Sequence, residues 1–266
     1  FYELKPRVNF SKSINISSGF DPKSILNEQI FPNLQSLPQN IREISEFSLG
    51  ALFYNILDHA HATRLNYKIY ISRNDVHLIV SDNGIGLFQG IADALHFDEV
   101  QIAAVEIAKG HVTSDPENHA GDDLMVVIQL FDEVEISSSG VSLKYFNGKN
   151  DWTLAPSKQK SGTRFHLGIG TNSRRTCQDV FKAIFNKHGK FVHIPVKLAR
   201  SNGEQLNSRE QAHNLLHNIK KLNGIEFDFK NIDLVGPAFA DELVRKTLEK
   251  NREMDIKWIN STQLVD

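Results

Sequence analysis

The chain has 266 residues, 40% of them hydrophobic and 23% charged, with a formal net charge of −2. That balance is ordinary for a soluble globular protein of one large or two ordinary domains, and it offers no bulk charge for nucleic acid or an anionic membrane. No apolar run approaches the roughly 20 residues of a transmembrane helix, no secretory signal is visible, and a lone cysteine, Cys177, excludes an internal disulfide or a cysteine-based zinc site and fits a reducing cytoplasm.

Residue 1 is Phe rather than Met, which points to a processed or trimmed chain with further sequence before it. Residues 1–40 are punctuated by Pro6, Pro22, Pro32 and Pro38 and read as an extended N-terminal arm with one short helix from about Ser24 to Phe31, opened by Asp21-Pro22. A strong helix is predicted from about Gln39 to Ala62. Leu49, Leu52, Phe53, Ile56, Leu57 and Ala60 recur on one apolar face. Ala51, Asn55, Asp58 and Ala62 fall on a neighbouring stripe, so the side chains of Asn55 and Asp58, three apart, can converge on one ligand.

Two strands follow, YKIYIS at 67–72 and VHLIVSD at 76–82, with a tight turn at Arg73-Asn74-Asp75. The second strand delivers Asp82 into SDNGIGL at 81–87. Gly84 and Gly86 allow a sharp turn and a close backbone approach to a ligand, with the Asp82 carboxylate at the mouth of the turn. Residues 88–123 hold one predicted helix, about Glu99 to Ala108, and then a long polar stretch, GHVTSDPENHAGDD, which reads as disordered or as a mobile cover over a site. Leu124 to Phe131 is a buried helix. VEISSS, VSLKYF and TRFHLGI are strands, with turns at Ser139-Gly140 and Ser161-Gly162.

The pattern changes near residues 170–175. Beyond it, helix (177–185), strand (191–198), helix (208–221), strand (225–229), helix (238–251) and strand (256–259) alternate, as in a compact α/β module. Ser208 and Gln211 form a capping-box start. Eleven histidines raise a metal site, with His59 and His61 or His111 and His119 as ligands, but no His-Glu-x-x-His pattern or cysteine cluster supports one.

Three motifs in order, ALFYNILDHA at 51–60, SDNGIGL at 81–87 and Ser161-Gly162-Thr163, make residues 41–172 resemble the GHKL nucleotide-binding fold of gyrase-type, histidine-kinase and anti-sigma-factor ATPases. The resemblance implies an α/β sandwich in which a mixed sheet is covered by helices. It implies ATP and Mg²⁺ as ligands. Asn55 stands at the Mg²⁺-ligand position with Asp58 three residues on. Asp82 would receive the adenine amino group, supported by Thr163. Gly84, Gly86, Gly162 and the lid residue Gly121 would lie along the nucleotide. A neutral amide oxygen suits a hard cation, and a carboxylate accepting the adenine N–H is a charge-assisted bond.

Two departures stand out. Ala51 occupies the position where similar proteins carry a general-base glutamate, and a methyl group takes no proton. Either ATP is bound without efficient turnover, or a glutamate has been replaced there, by nature or by engineering. The lid ends in Gly121-Asp122-Asp123-Leu124 rather than Gly-x-Gly, and two acids repel a polyphosphate unless Mg²⁺ or a base intervenes; Lys109 and Lys158 are the candidates. FDFKNIDLVGPAFADELVRK at 227–246 resembles the STAS-like domain of unknown function found after GHKL modules in bacterial proteins. The turn Val235-Gly236-Pro237-Ala238 has no hydroxyl for the phosphorylation that STAS antagonists undergo, and Asp241 and Glu242 read as a helix opening.

The expected organisation is an arm (1–40), a GHKL domain (41–172) and a STAS-like α/β domain (173–266) in a cytoplasmic protein without membrane or nucleic-acid binding. The expected function is a Mg·ATP-dependent regulatory switch whose lid closure changes contact with the C-terminal module, a protein partner or a second copy. The alternative is an active ATPase, or an anti-sigma-type protein serine/threonine kinase, whose base has been mutated.

Overall fold

The β-branched and aromatic runs on either side of Arg73-Asn74 fold back on each other, and the larger sheet builds outward from that hairpin. The computed structural model describes residues 8–17, 20–110, 122–187, 192–200, 205–216, 224–250 and 255–261. In it β2 (Arg64–Ile71) pairs with β3 (Asp75–Asp82), Ile71 lying opposite Val76. The Ser72 hydroxyl accepts the N–H groups of Asn74 and Asp75 and so satisfies the turn. The N-terminal arm is itself a strand, β1 (Val8–Asn15), on the outer edge of β2. On the other side of β3 lie β7 (Thr163–Gly170), β4 (Glu133–Ser138), β5 (Val141–Phe146) and β6 (Asp151–Pro156), for a spatial order β1-β2-β3-β7-β4-β5-β6.

Every pairing in this sheet is antiparallel, which corrects the expected mixed sheet. Short turns join β2 to β3, β4 to β5 and β5 to β6, and a short turn can only join antiparallel neighbours. At Ser139-Gly140 both residues have positive φ, 52° and 83°, as the tightest hairpin connection requires.

Helices line one face. The short α1 (Pro22–Ile25) is capped by the Asp21 side chain, which accepts from Lys23 and Ser24 N–H, and it runs on into wider and tighter turns through Leu34. The long α2 (Gln39–His59) buries Ile41, Ile44, Leu49, Leu52, Phe53 and Ile56, and it contacts β3. Leu57, expected on the apolar face, is exposed. After Gly86 the chain forms a helix not among those expected, α3 (Leu87–Leu95), which ends at His96 in a left-handed conformation, and then α4 (Val100–Lys109), at the place of the helix expected over about Glu99 to Ala108. α5 (Asp122–Leu130) packs on α2, and α6 (Cys177–Lys187) packs on both. Phe47 meets Phe181 edge to face at 5.3 Å. Along β3, Val76, Leu78, Val80 and Asp82 point into the covered face and are buried, while His77, Ile79 and Ser81 lie half-buried on the other.

The C-terminal part carries a second sheet of three parallel strands, β8 (Val192–Pro195), β9 (Gly224–Asp228) and β10 (Asp255–Ile259), in the order β10-β9-β8. β8 is shorter than the strand predicted over 191–198. Pro195 has no N–H to continue a ladder, and residues Val196–Ala199 form a tight helical turn. α7 (Arg209–Leu215) starts at the expected capping box, with reciprocal bonds between Ser208 and Gln211. It packs on α8 (Pro237–Lys250). The two sheets communicate through α4, which touches β5 on one side and β8 and α7 on the other. Lys197 is paired with Asp151 of β6, and the Lys230 ammonium donates to the carbonyl of Lys149. No helix among the described residues is long and apolar enough to cross a membrane.

Candidate functional site

Two segments far apart in sequence meet at the Asp82 carboxylate, and a third, the end of α2, closes on the turn beside it. β3 carries Asp82 to the end of the covered face, where it is 5% exposed. One of its oxygens accepts the Gly84 N–H at 2.7 Å and the other accepts the Thr163 N–H at 3.2 Å. Burial pushes this carboxyl above its usual range, and the N–H bonds from Gly84 and Thr163 oppose that rise. Each carboxylate oxygen keeps a second lone pair, so the group can hold its own turn and still accept from a ligand donor.

The glycines of the site are where the backbones come closest. A Cβ on Gly84 would lie 2.0 Å from the carbonyl oxygen of Ala60, just past the end of α2, and the Ile85 N–H donates to that carbonyl at 2.9 Å. A Cβ on Gly162, at φ 65°, would lie 2.1 Å from the Asp82 carbonyl oxygen, and the Gly162 N–H donates to Gly84. Gly86, at φ 92°, opens α3 and has the Ser138 and Ser139 hydroxyls 2.7 Å from where its Cβ would be. The Thr163 hydroxyl accepts the Leu87 N–H at 2.8 Å and so fixes the first turn of α3. The end of α2, the DNGIG turn and the start of β7 are thus one hydrogen-bonded unit.

Asn55 and Asp58 lie on α2 before this junction. Asn55 is five residues before Ala60, about 7.5 Å along the axis at the usual rise. Asn55 is half-buried and Asp58 exposed, and neither makes a side-chain hydrogen bond with a described residue. Ala51 is half-buried and packs against the core. Gly121 lies outside the described residues, as do His111 and His119. Of the two candidate phosphate lysines, Lys109 is buried and paired with Glu106 one turn back on α4, so its charge is already matched; Lys158 is exposed. Among the described residues no group of three or more His, Cys, Asp or Glu side chains is arranged to hold a metal.

Two residues of this junction carry no signal of their own in sequence. The Asn83 amide accepts the N–H groups of Thr63 and Arg64 and donates to the Thr63 hydroxyl, locking the turn to the start of β2. Buried Ser138 donates to the Gly162 carbonyl. Asn83 stands inside the motif, but its partners lie twenty residues away.

Residues 211–266 match the family model of the STAS-like domain of unknown function (DUF4325). The match spans α7, β9, α8 and β10. No curated protein matches the chain. In the STAS-like domain Pro237 opens α8 and Gly236 donates its N–H to Leu206, so the turn before the helix is fixed without any hydroxyl at 235–238. Glu242 is buried and bonded to Arg245, and exposed Asp241 lies 3.7 Å from Arg209. Both acids are engaged within the helix pair.

Proposed function

We propose that the chain is a Mg·ATP-binding regulatory switch of the GHKL class, with weak or absent turnover. What carries this reading is the meeting of the DNGIG turn and the Ser-Gly-Thr turn at one buried carboxylate, with the end of the Asn55 helix closed on the DNGIG turn. The purine amino group would donate to Asp82, with Thr163 holding that side chain from behind. The amide oxygen of Asn55, with Asp58 beside it, would face the Mg²⁺ that bridges the phosphates. Gly84, Gly86 and Gly162 let the segments that frame the carboxylate close on one another, and Gly121 would lie along the nucleotide, as the resemblance implies. Ala51 offers no proton acceptor on that face of α2, so binding rather than hydrolysis is the output.

The path to the STAS-like domain is α4. Every residue from Ile102 to Lys109 is buried, because the helix is enclosed by the large sheet on one side and by β8 and α7 on the other. A nucleotide-driven shift of α3 or α4 would therefore be felt by the C-terminal domain, and a partner docked on that domain would bias the nucleotide site in return.

Calorimetry and thermal unfolding with Mg·ATP test the proposal. The intact chain is expected to bind one equivalent and to unfold at a higher temperature. Asn55→Ala is expected to remove the dependence of ATP affinity on Mg²⁺. An unmoved unfolding temperature with millimolar Mg·ATP leaves a GHKL-shaped scaffold without a nucleotide and sinks the reading.

A further inference from the structure

The face of the large sheet turned away from the helices carries two histidines in contact. We infer that His77 of β3 and His166 of β7 form a binding site for a divalent transition-metal ion such as Zn²⁺. This inference does not depend on the nucleotide reading.

The His77 Nδ1 and His166 Nε2 atoms are 3.1 Å apart, with ring centroids separated by 5.2 Å. Two nitrogens bound to one Zn²⁺ at about 2.0–2.1 Å lie roughly 2.9–3.4 Å apart in octahedral or tetrahedral geometry. The pair therefore already has the spacing of two neighbouring ligands, and an ion equidistant from both nitrogens would sit to one side of the line that joins them. Glycine makes this approach possible. Gly168 stands directly opposite His77 in the β3–β7 register, and a Cβ there would lie 3.2 Å from Nδ1. With only hydrogen at that position, His77 leans across β7 towards His166.

Two acids of β4 lie across from this part of β7. Glu135, opposite His166, is occupied by the Ser142 hydroxyl and the Lys144 ammonium. Glu133, opposite Gly168, is exposed. Two ring nitrogens are the fixed donors, and water or a rotated Glu133 would complete the shell. Imidazole selects Zn²⁺, Ni²⁺ or Cu²⁺ over Mg²⁺ and Ca²⁺. The ion would tie β3 to β7, the strands that bear Asp82 and Thr163.

The test is calorimetric titration of the tag-free, chelator-treated chain with ZnCl₂, beside His77→Gln, His166→Gln and the double variant. One equivalent is expected to bind the intact chain, with affinity at least ten-fold weaker in each single variant and Mg²⁺ unable to compete. No binding, or equal binding by the double variant through other histidines, overturns the site. Should the variants fail to fold, ring-nitrogen chemical shifts of the unmodified chain decide. Zn²⁺ is expected to move the His77 Nδ1 and His166 Nε2 signals, and unmoved signals at both overturn the proposal.

Discussion

Asp82 staples its own turn and, in the function proposed above, also accepts from the nucleotide; the two roles separate on substitution. As a carboxylate it accepts from Gly84 and Thr163; an Asn there accepts with one atom only and turns an N–H donor towards the other backbone donor. Loss of a bond to a charged acceptor costs about 1.5–3 kcal/mol, so Asp82→Asn is expected to weaken Mg·ATP binding ten-fold or more by calorimetry. An unchanged dissociation constant removes Asp82 from the ligand site and leaves it as a turn staple. Gly162→Ala tests the junction itself. The added methyl meets the Asp82 carbonyl at φ 65°, and the unfolding free energy in urea is expected to fall by about 2–4 kcal/mol. Ala51→Glu places a proton acceptor on α2. Phosphate release or partner labelling gained by this variant would mark the chain as an ATPase or kinase whose base has been replaced; continued inertness favours the switch.

At the level of elements, periodicity exposed those that pack on one side only, and punctuation hid those that break the rule. α2 and the β2–β3 hairpin were legible because their apolar residues recur at 3.6 and 2. α3 was missed although Phe88, Ile91 and Ala92 are buried at helical spacing, because Gly86 and Gly90 resemble loop residues. Gly90 sits in the helix, where a Cβ would lie 3.3 Å from the end of the flexible Ile85 side chain. β6 was missed because Pro156 ends it, yet an edge strand tolerates proline. On the polar face of the sheet Glu135 supports the β4–β5 pair. Burial raises its pKa, but the Ser142 hydroxyl and the Lys144 ammonium outweigh that and hold it below its usual 4.5. A carboxyl depressed on folding contributes stability that is full above its unfolded value and lost as pH falls through its folded value. Glu135→Gln is therefore expected to flatten the loss of stability below about pH 4.5, as read from urea midpoints across an acid series; an identical slope in the variant refutes the assignment.

At the scale of the whole molecule the decisive feature is α4, enclosed between the two sheets. The Lys197–Asp151 pair, with side chains 15% and 18% exposed, pins the C-terminal part against β6. Lys197→Ala leaves the Asp151 carboxylate without its cation and is expected to cost about 1–3 kcal/mol, with faster amide exchange along α4; exchange unchanged in α4 would mean that the contact carries no coupling. The residue types that meet at Asp82, the helix of Asn55 and the α/β alternation after residue 175 were determined by the sequence alone, because local spacing and turn chemistry are properties of short segments. Only the tertiary structure decided that the large sheet is wholly antiparallel, that α4 is enclosed between the two sheets, and that Gly168 lets two histidines touch. Each of these depends on which strands and helices become neighbours, and the contact energies that choose neighbours act between residues far apart along the chain.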